Sequence, residues 1–146
     1  MESVKIGLAS DHAGFRLKEE LKTRLVVEGY ITEDFGCFSE ESCDYPDFGH
    51  PLARAVAEGR CKFGISICGT GNGINMVVNK YPGIRSAICW NREIATLARA
   101  HNDANICALP GRFLTADEAG VIVGTFLETG FDGGWHQRRI DKIPVP

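Results

Sequence analysis

Phe63-Gly64-Ile65-Ser66-Ile67-Cys68-Gly69-Thr70-Gly71-Asn72-Gly73 decides how this chain folds. Its first half is apolar enough for a buried strand over Gly64 to Ile67. Its second half is a glycine loop headed by a thiol, followed by a helix-like segment from Asn75 to Lys80. A strand that feeds such a loop and helix points several backbone N–H groups at one anionic point, with Cys68 beside them. A thiol at a helix entrance is favoured as thiolate by the local dipole, so Cys68 suits a base or a nucleophile. The spacing excludes three familiar phosphate loops. Gly69, Gly71 and Gly73 give G-x-G-x-G, with Ile74 where a dinucleotide fingerprint places its last glycine. The Gly-Lys-Ser/Thr ending of a P-loop is absent, and no arginine follows Gly73 to grip phosphate as in a cysteine phosphatase. A tight strand-to-helix turn over a buried cysteine remains the plain alternative.

Outward from this unit the chain alternates strand and helix. Val4 to Ser10 predicts a first strand, and Phe15, Leu17, Leu21, Leu25 and Val26 then recur near helical spacing, with Arg16, Lys18, Glu19, Glu20 and Lys22 on the other face. Tyr30 to Phe35 predicts a second strand, and a polar loop from Gly36 to Phe48 leads to a helix over Pro51 to Glu58. Ser86 to Cys89 and Asn105 to Leu109 predict two more strands, separated by an amphipathic helix carrying Ile94, Leu97 and Ala98. Thr115-Ala116-Asp117-Glu118 reads as a capping box that opens a helix through Leu127. Residues 130–146 read as an irregular, charged tail. Repeated β-α units with near-continuous apolar strands predict an α/β fold, a three-layer αβα sandwich around a five-stranded parallel Rossmann-like sheet.

Composition narrows the function. With 146 residues and 44% hydrophobic content, the chain suffices for one core and is expected to be a single domain over 1–146. Sixteen basic residues face 19 acidic ones, and no basic run precedes Arg138-Arg139, so no nucleic-acid partner is expected. No apolar run approaches signal-peptide or bilayer length, which predicts a cytosolic protein with no membrane partner. The six cysteines, Cys37, Cys43, Cys61, Cys68, Cys89 and Cys107, form no C-x-x-C pair and no zinc spacing with histidine, so no metal is expected and reduced thiols are. Cys61, Cys89 and Cys107 adjoin apolar segments and read as small buried hydrophobes.

Ligands of open parallel sheets sit beyond the carboxyl ends of the strands. That rule selects Asp11 and His12 after the first strand, Cys68 to Gly73 after the third and Arg112 after the fifth. His12 and His101 suit proton donation near neutral pH, though either alone is more often a surface or structural residue. Asp11 is equally a helix N-cap, and Tyr45, in Asp44-Tyr45-Pro46-Asp47, lies in an ordinary turn signal. His101 and Asn102 precede the fifth strand, so they need not lie at the same edge of their own subunit. If they belong to the site, they arrive from a second one.

Taken in order, Asp11-His12-Ala13-Gly14, Asp44-Tyr45-Pro46-Asp47, Cys68-Gly69-Thr70-Gly71-Asn72-Gly73, His101-Asn102-Asp103 with Asn105, and Gly133-Gly134-Trp135-His136-Gln137-Arg138-Arg139 resemble the ribose-5-phosphate isomerase B family, which includes galactose-6-phosphate isomerase subunits. The resemblance spans nearly the whole chain. It implies a cofactor-free aldose-ketose isomerase of the pentose phosphate pathway, interconverting ribose 5-phosphate and ribulose 5-phosphate through a cis-enediolate. It assigns Cys68 as proton acceptor and His101 as the proton donor for furanose opening, with Thr70 close to the same oxygens. Relatives that lack the cysteine use a glutamate just after the glycine loop, where this chain has Ile74. Asp11, His12, Tyr45 and Asn102 match substrate-binding residues, and the N–H groups from Gly69 through Gly71 and Asn72 to Gly73 match the enediolate cradle. The resemblance further implies a homodimer or dimer of dimers with the site between subunits and the 130–146 tail packed on the partner.

One departure concerns the phosphate. Arg112 and Arg139 match phosphate-side arginines, but Trp135 stands where relatives commonly carry another arginine, with Arg138 a neighbouring substitute. Weakened phosphate recognition with retained chemistry is the expectation. A galactose-6-phosphate isomerase subunit, an isomerase of free aldoses such as allose or ribose, and a non-enzymatic sugar-phosphate binder are the alternatives.

Overall fold

The computed structural model describes residues 3–146. Five strands, β1 (Lys5–Ser10), β2 (Ile31–Asp34), β3 (Phe63–Cys68), β4 (Ser86–Ile88) and β5 (Ile106–Pro110), form one all-parallel sheet in the order β2-β1-β3-β5-β4. Six helices accompany them: α1 (Phe15–Val27), α2 (Tyr45–Ala57), α3 (Asn72–Val78), α4 (Arg92–Asn102), α5 (Ala116–Glu128) and α6 (Trp135–Ile140). Parallel strands require crossovers, and each crossover here lays a helix on a face of the sheet. The expected three-layer sandwich is therefore the observed one.

The core follows from the two-residue period of the strands. Ile6, Leu8, Ile65, Ile67, Cys107 and Leu109 point to one face, where Leu17, Leu21 and Leu25 of α1, Ala95 and Ala98 of α4, and Ile122, Val123 and Phe126 of α5 cover them. The opposite face is thinner: Ala9 and Ile106 meet Leu52, Ala53 and Val56 of α2 and Val78 of α3. Every residue of β3 is buried, as expected for the central strand. Cys61, Cys89 and Cys107 are buried, as their apolar surroundings predict. The capping box at Thr115 is complete, with Glu118 N–H donating to Thr115 Oγ1 and Thr115 N–H to Glu118 Oε1.

Four expectations need correction. The helix expected from Pro51 begins at Tyr45, because Asp44 is its extended N-cap and Pro46 occupies its first turn, where the missing N–H costs no intrahelical bond. The helix expected from Asn75 begins at Asn72 and ends at Val78. The irregular tail contains α6, whose Ile140 is buried and which packs on α4. Lys18 is not on a solvent face. It is 0% exposed, and its ammonium donates to Asp34 at 2.6 and 2.8 Å and to Glu19 at 2.9 Å, which is how a charge is tolerated there.

Candidate active site

The carboxyl edge of the sheet gathers the residues that leave β1, β3 and β5. Cys68 ends β3 with 5% of its surface exposed, and its carbonyl accepts the N–H of Gly111 at 2.9 Å. The glycine loop then turns at Gly71, whose φ of 77° is left-handed and favours glycine. Thr70 Oγ1 accepts the N–H of Asn72 at 3.2 Å, and α3 starts there. The first turn of a helix has no intrahelical partners for its N–H groups, so this end of α3 presents donors beside the thiol.

Two side chains close around the loop. The Tyr45 ring lies against Gly73 so closely that a Cβ there would stand 2.1 Å from it, which leaves room for glycine alone. Arg112 lies over Gly69, its Nη1 3.2 Å from where a Cβ would be, and its own N–H donates to the Gly69 carbonyl at 3.0 Å. Asp11, a candidate from the sequence, is an N-cap: Oδ1 accepts from Ala13 N–H at 3.0 Å and Gly14 N–H at 3.2 Å. His12 Nδ1 accepts the Cys43 N–H at 3.2 Å, which leaves Nε2 as the nitrogen that carries the proton of the neutral ring. Beside it, burial pushes the Cys43 thiol up, the neighbouring Cys37 thiol adds to this, and the bond to His12 opposes it.

His101 and Asn102 lie elsewhere. Helix α4 runs back from the end of β4 to the start of β5, so its last residues sit at the amino edge of the sheet. Arg85, just before β4, donates from Nε to the Asn102 carbonyl at 2.9 Å, and Asn105 accepts the N–H of Gly64 at the beginning of β3 at 2.9 Å. The length of β3, about 17 Å, therefore lies between the edge that holds His101 and the edge that holds Cys68 of the same chain. The same amino edge holds α6, with Trp135 and Arg138 and Arg139 exposed on it. The His101 ring stacks on His136, centroids 4.2 Å apart, and Asp132 lies alongside. Sequence reading missed Asp132 and His136 as functional candidates. The signal for them is Gly133-Gly134, a turn that sets two polar side chains on either side of one point.

The candidate residues thus form two half-sites at opposite edges of one sheet. Asp11, His12, Tyr45, the Cys68–Gly73 loop and Arg112 make one, and His101, Asn102, Trp135, Arg138 and Arg139 the other. A concavity of about 350 Å³ lies between the Tyr81–Arg85 loop and Ile140, Ile143 and Val145, and no candidate residue lines it.

A doubly wound parallel sheet with a thiol-headed glycine loop at its carboxyl edge defines the class, an α/β fold of the kind whose ligands sit outside the strand ends. A family model described as Ribose/Galactose Isomerase matches residues 6–143, and the chain belongs to that family. It is 42% identical to ribose-5-phosphate isomerase B of Escherichia coli (strain K12) over 139 residues, 95% of this chain and 93% of the relative. A crystal structure of a ribose 5-phosphate isomerase from Thermotoga maritima superposes with a TM-score of 0.95 at 51% identity, covering 97% of this chain and 98% of the other. Ribose-5-phosphate isomerase B from Mycoplasma genitalium, solved with bound ribulose-5-phosphate, superposes at 0.93 with 41% identity, over 98% and 95% of the two chains.

Proposed function

We propose that this chain is a single-domain aldose-ketose isomerase that interconverts D-ribose 5-phosphate and D-ribulose 5-phosphate, working as a homodimer, or a pair of homodimers, in the cytosol. The observation that carries the reading is Cys68 at the end of the central strand, held beside the N–H groups of the glycine loop and flanked by Tyr45 and Arg112. The relatives named ribose-5-phosphate isomerase B support the substrate. Six free cysteines suit a reducing compartment.

The chemistry begins with a closed furanose. His101 of one subunit gives a proton to the ring oxygen as the C1–O4 bond breaks, the electron pair staying on that oxygen. The O1 hydroxyl then gives its proton to the neutral imidazole as the aldehyde forms, which balances the step. The Cys68 thiolate of the other subunit takes the proton from C2, and the electrons move to O1 to give the cis-enediolate. The O2 hydroxyl proton passes to O1, and as the O2 electrons form the C2 carbonyl the same thiol returns its proton to C1, leaving the ketone at C2. N–H groups from Gly69 to Gly73 stabilise the oxygens as charge develops, each well-placed donor worth about 3 to 4 kcal/mol. Thr70 steadies the same oxygens, Asp11, His12, Tyr45 and Asn102 hold hydroxyls, and Arg112 with Arg139 grips the phosphate, Arg138 assisting where Trp135 replaces an arginine.

A second subunit is needed because the two half-sites lie at opposite edges of one sheet, and the 130–146 tail then contributes its arginines across the interface. Turnover of ribose 5-phosphate in the presence of EDTA, lost in Cys68→Ala, is the expected result. Turnover confined to galactose 6-phosphate, allose or ribose would keep the mechanism and move the substrate, with Trp135 the first residue to exchange. No turnover of any sugar would favour a binding module.

A further inference from the structure

Asp132 and His136 have no part in the scheme above, yet they surround the residue that opens the sugar ring. The His101 and His136 rings stack with centroids 4.2 Å apart and planes 15° from parallel. One nitrogen of each ring and one Asp132 carboxylate oxygen all lie within 4.8 Å of one another. The cluster is anchored from both sides. Asp132 N–H donates to the carbonyl of Ala100, the residue before His101, at 2.9 Å. Gly133 and Gly134 follow with φ of 68° and 63°, a turn that starts α6 at once and sets His136 over His101, while buried Ile140 holds α6 in place.

Two histidines and an aspartate also make a donor set for zinc. The stack argues against that use here. An imidazole lone pair lies in its ring plane, so two nearly parallel, stacked rings do not converge on one ion. The arrangement suits aiming a proton. A histidine at a partly exposed helix end otherwise has several rotamers, and a proton donor displaced by about 1 Å loses on the order of a hundredfold in rate.

We propose that Asp132 and His136 are positioning residues for His101: the stack fixes the plane of its ring, and the carboxylate charge, within 4.8 Å of a nitrogen of each ring, orients the cationic imidazole that gives the proton. The proposal rests on the isomerase reading and deepens it.

Ribulose 5-phosphate separates ring opening from proton transfer, since its C5 oxygen carries the phosphate and the ketose cannot close a furanose. Deuterium uptake at its C1 in D2O reports Cys68 chemistry alone, whereas turnover of ribose 5-phosphate needs the ring opened first. In the full-length protein, His136→Ala and Asp132→Asn are expected to lower kcat for ribose 5-phosphate on the order of 10- to 100-fold, with KM and deuterium uptake within about twofold. The forward rate of these variants should also stop rising with enzyme concentration, as uncatalysed ring opening becomes limiting. His136→Phe, which keeps a stacking ring without its protons, is expected to recover most of the His136→Ala loss, and Asp132→Glu most of the Asp132→Asn loss. Equal losses in turnover and deuterium uptake, or no loss in either, would overturn the proposal. A wild-type protein that neither turns over ribose 5-phosphate nor takes up deuterium would instead overturn the isomerase reading beneath it.

Discussion

Gly73 shows how little slack the thiol half-site has. A methyl group there would stand 2.1 Å from the Tyr45 ring, so Gly73→Ala must displace the tyrosine. We expect the substitution to cost on the order of tenfold in kcat/KM, and Tyr45→Ala added to it to cost little more, because both act through one contact. A double-mutant cycle on kcat/KM checks this, and additive losses would show that the two residues act independently. Trp135 poses the opposite case, an indole 69% exposed on α6 where a cation would reach solvent freely. Trp135→Arg is expected to tighten inhibition by inorganic phosphate about tenfold, the worth of one charge-assisted hydrogen bond, as read from competition kinetics. No change in that constant would mean that the position faces away from phosphate.

Among the elements, α1 carries a testable cost. Burial pushes the Asp34 carboxyl up, but the hydrogen bonds from the Lys18 and Lys22 ammonium groups and the Gly36 N–H outweigh it and hold the carboxyl below its ordinary value. Glu19 is likewise held low by Lys18 and Lys22. A carboxyl with a lower pKa folded than unfolded adds stability above its unfolded value near pH 4 and loses it as pH falls through the folded value. Asp34→Asn is therefore expected to cost about 3 kcal/mol at pH 7, by stranding part of the charge on buried Lys18, and to flatten the stability slope below about pH 4. Urea denaturation at several pH values measures both. Sequence reading could not reach this feature, because Lys18 sits among charges at a position that only the packing of β2 against α1 reveals as interior. The capping box at Thr115 was legible because its chemistry is local, four residues naming their own geometry. Asp44-Tyr45-Pro46-Asp47 was misread as a turn for a related reason: proline in a first helical turn and proline in a loop look alike until the strand register fixes where α2 begins.

For the whole molecule, the order of β-α units was enough to predict the sheet, and the rule of carboxyl edges was enough to gather Asp11, Cys68 and Arg112. Chain order also allowed His101, which precedes β5, to lie at the other edge, and it does, 33 residues from Cys68 along the chain and across the sheet from it in space. The proposed pairing of subunits makes a sharp prediction. Cys68→Ala and His101→Ala homodimers should each be inactive, yet after mixing and reassembly each heterodimer holds one site with both groups intact. Random exchange then recovers about one quarter of wild-type activity. Activity that stays at zero in a mixture shown to exchange subunits would end the shared-site reading. The proposed sharing of the site would also make catalysis a matter of dose. A lone chain can keep its sheet, its core and its helicity and still have nothing to offer the sugar, so below the dissociation constant of the pair, output should grow with the square of the amount of protein. Folding and function would then part company on simple dilution, and a cell that halves its supply of the chain would lose more than half of its enzyme.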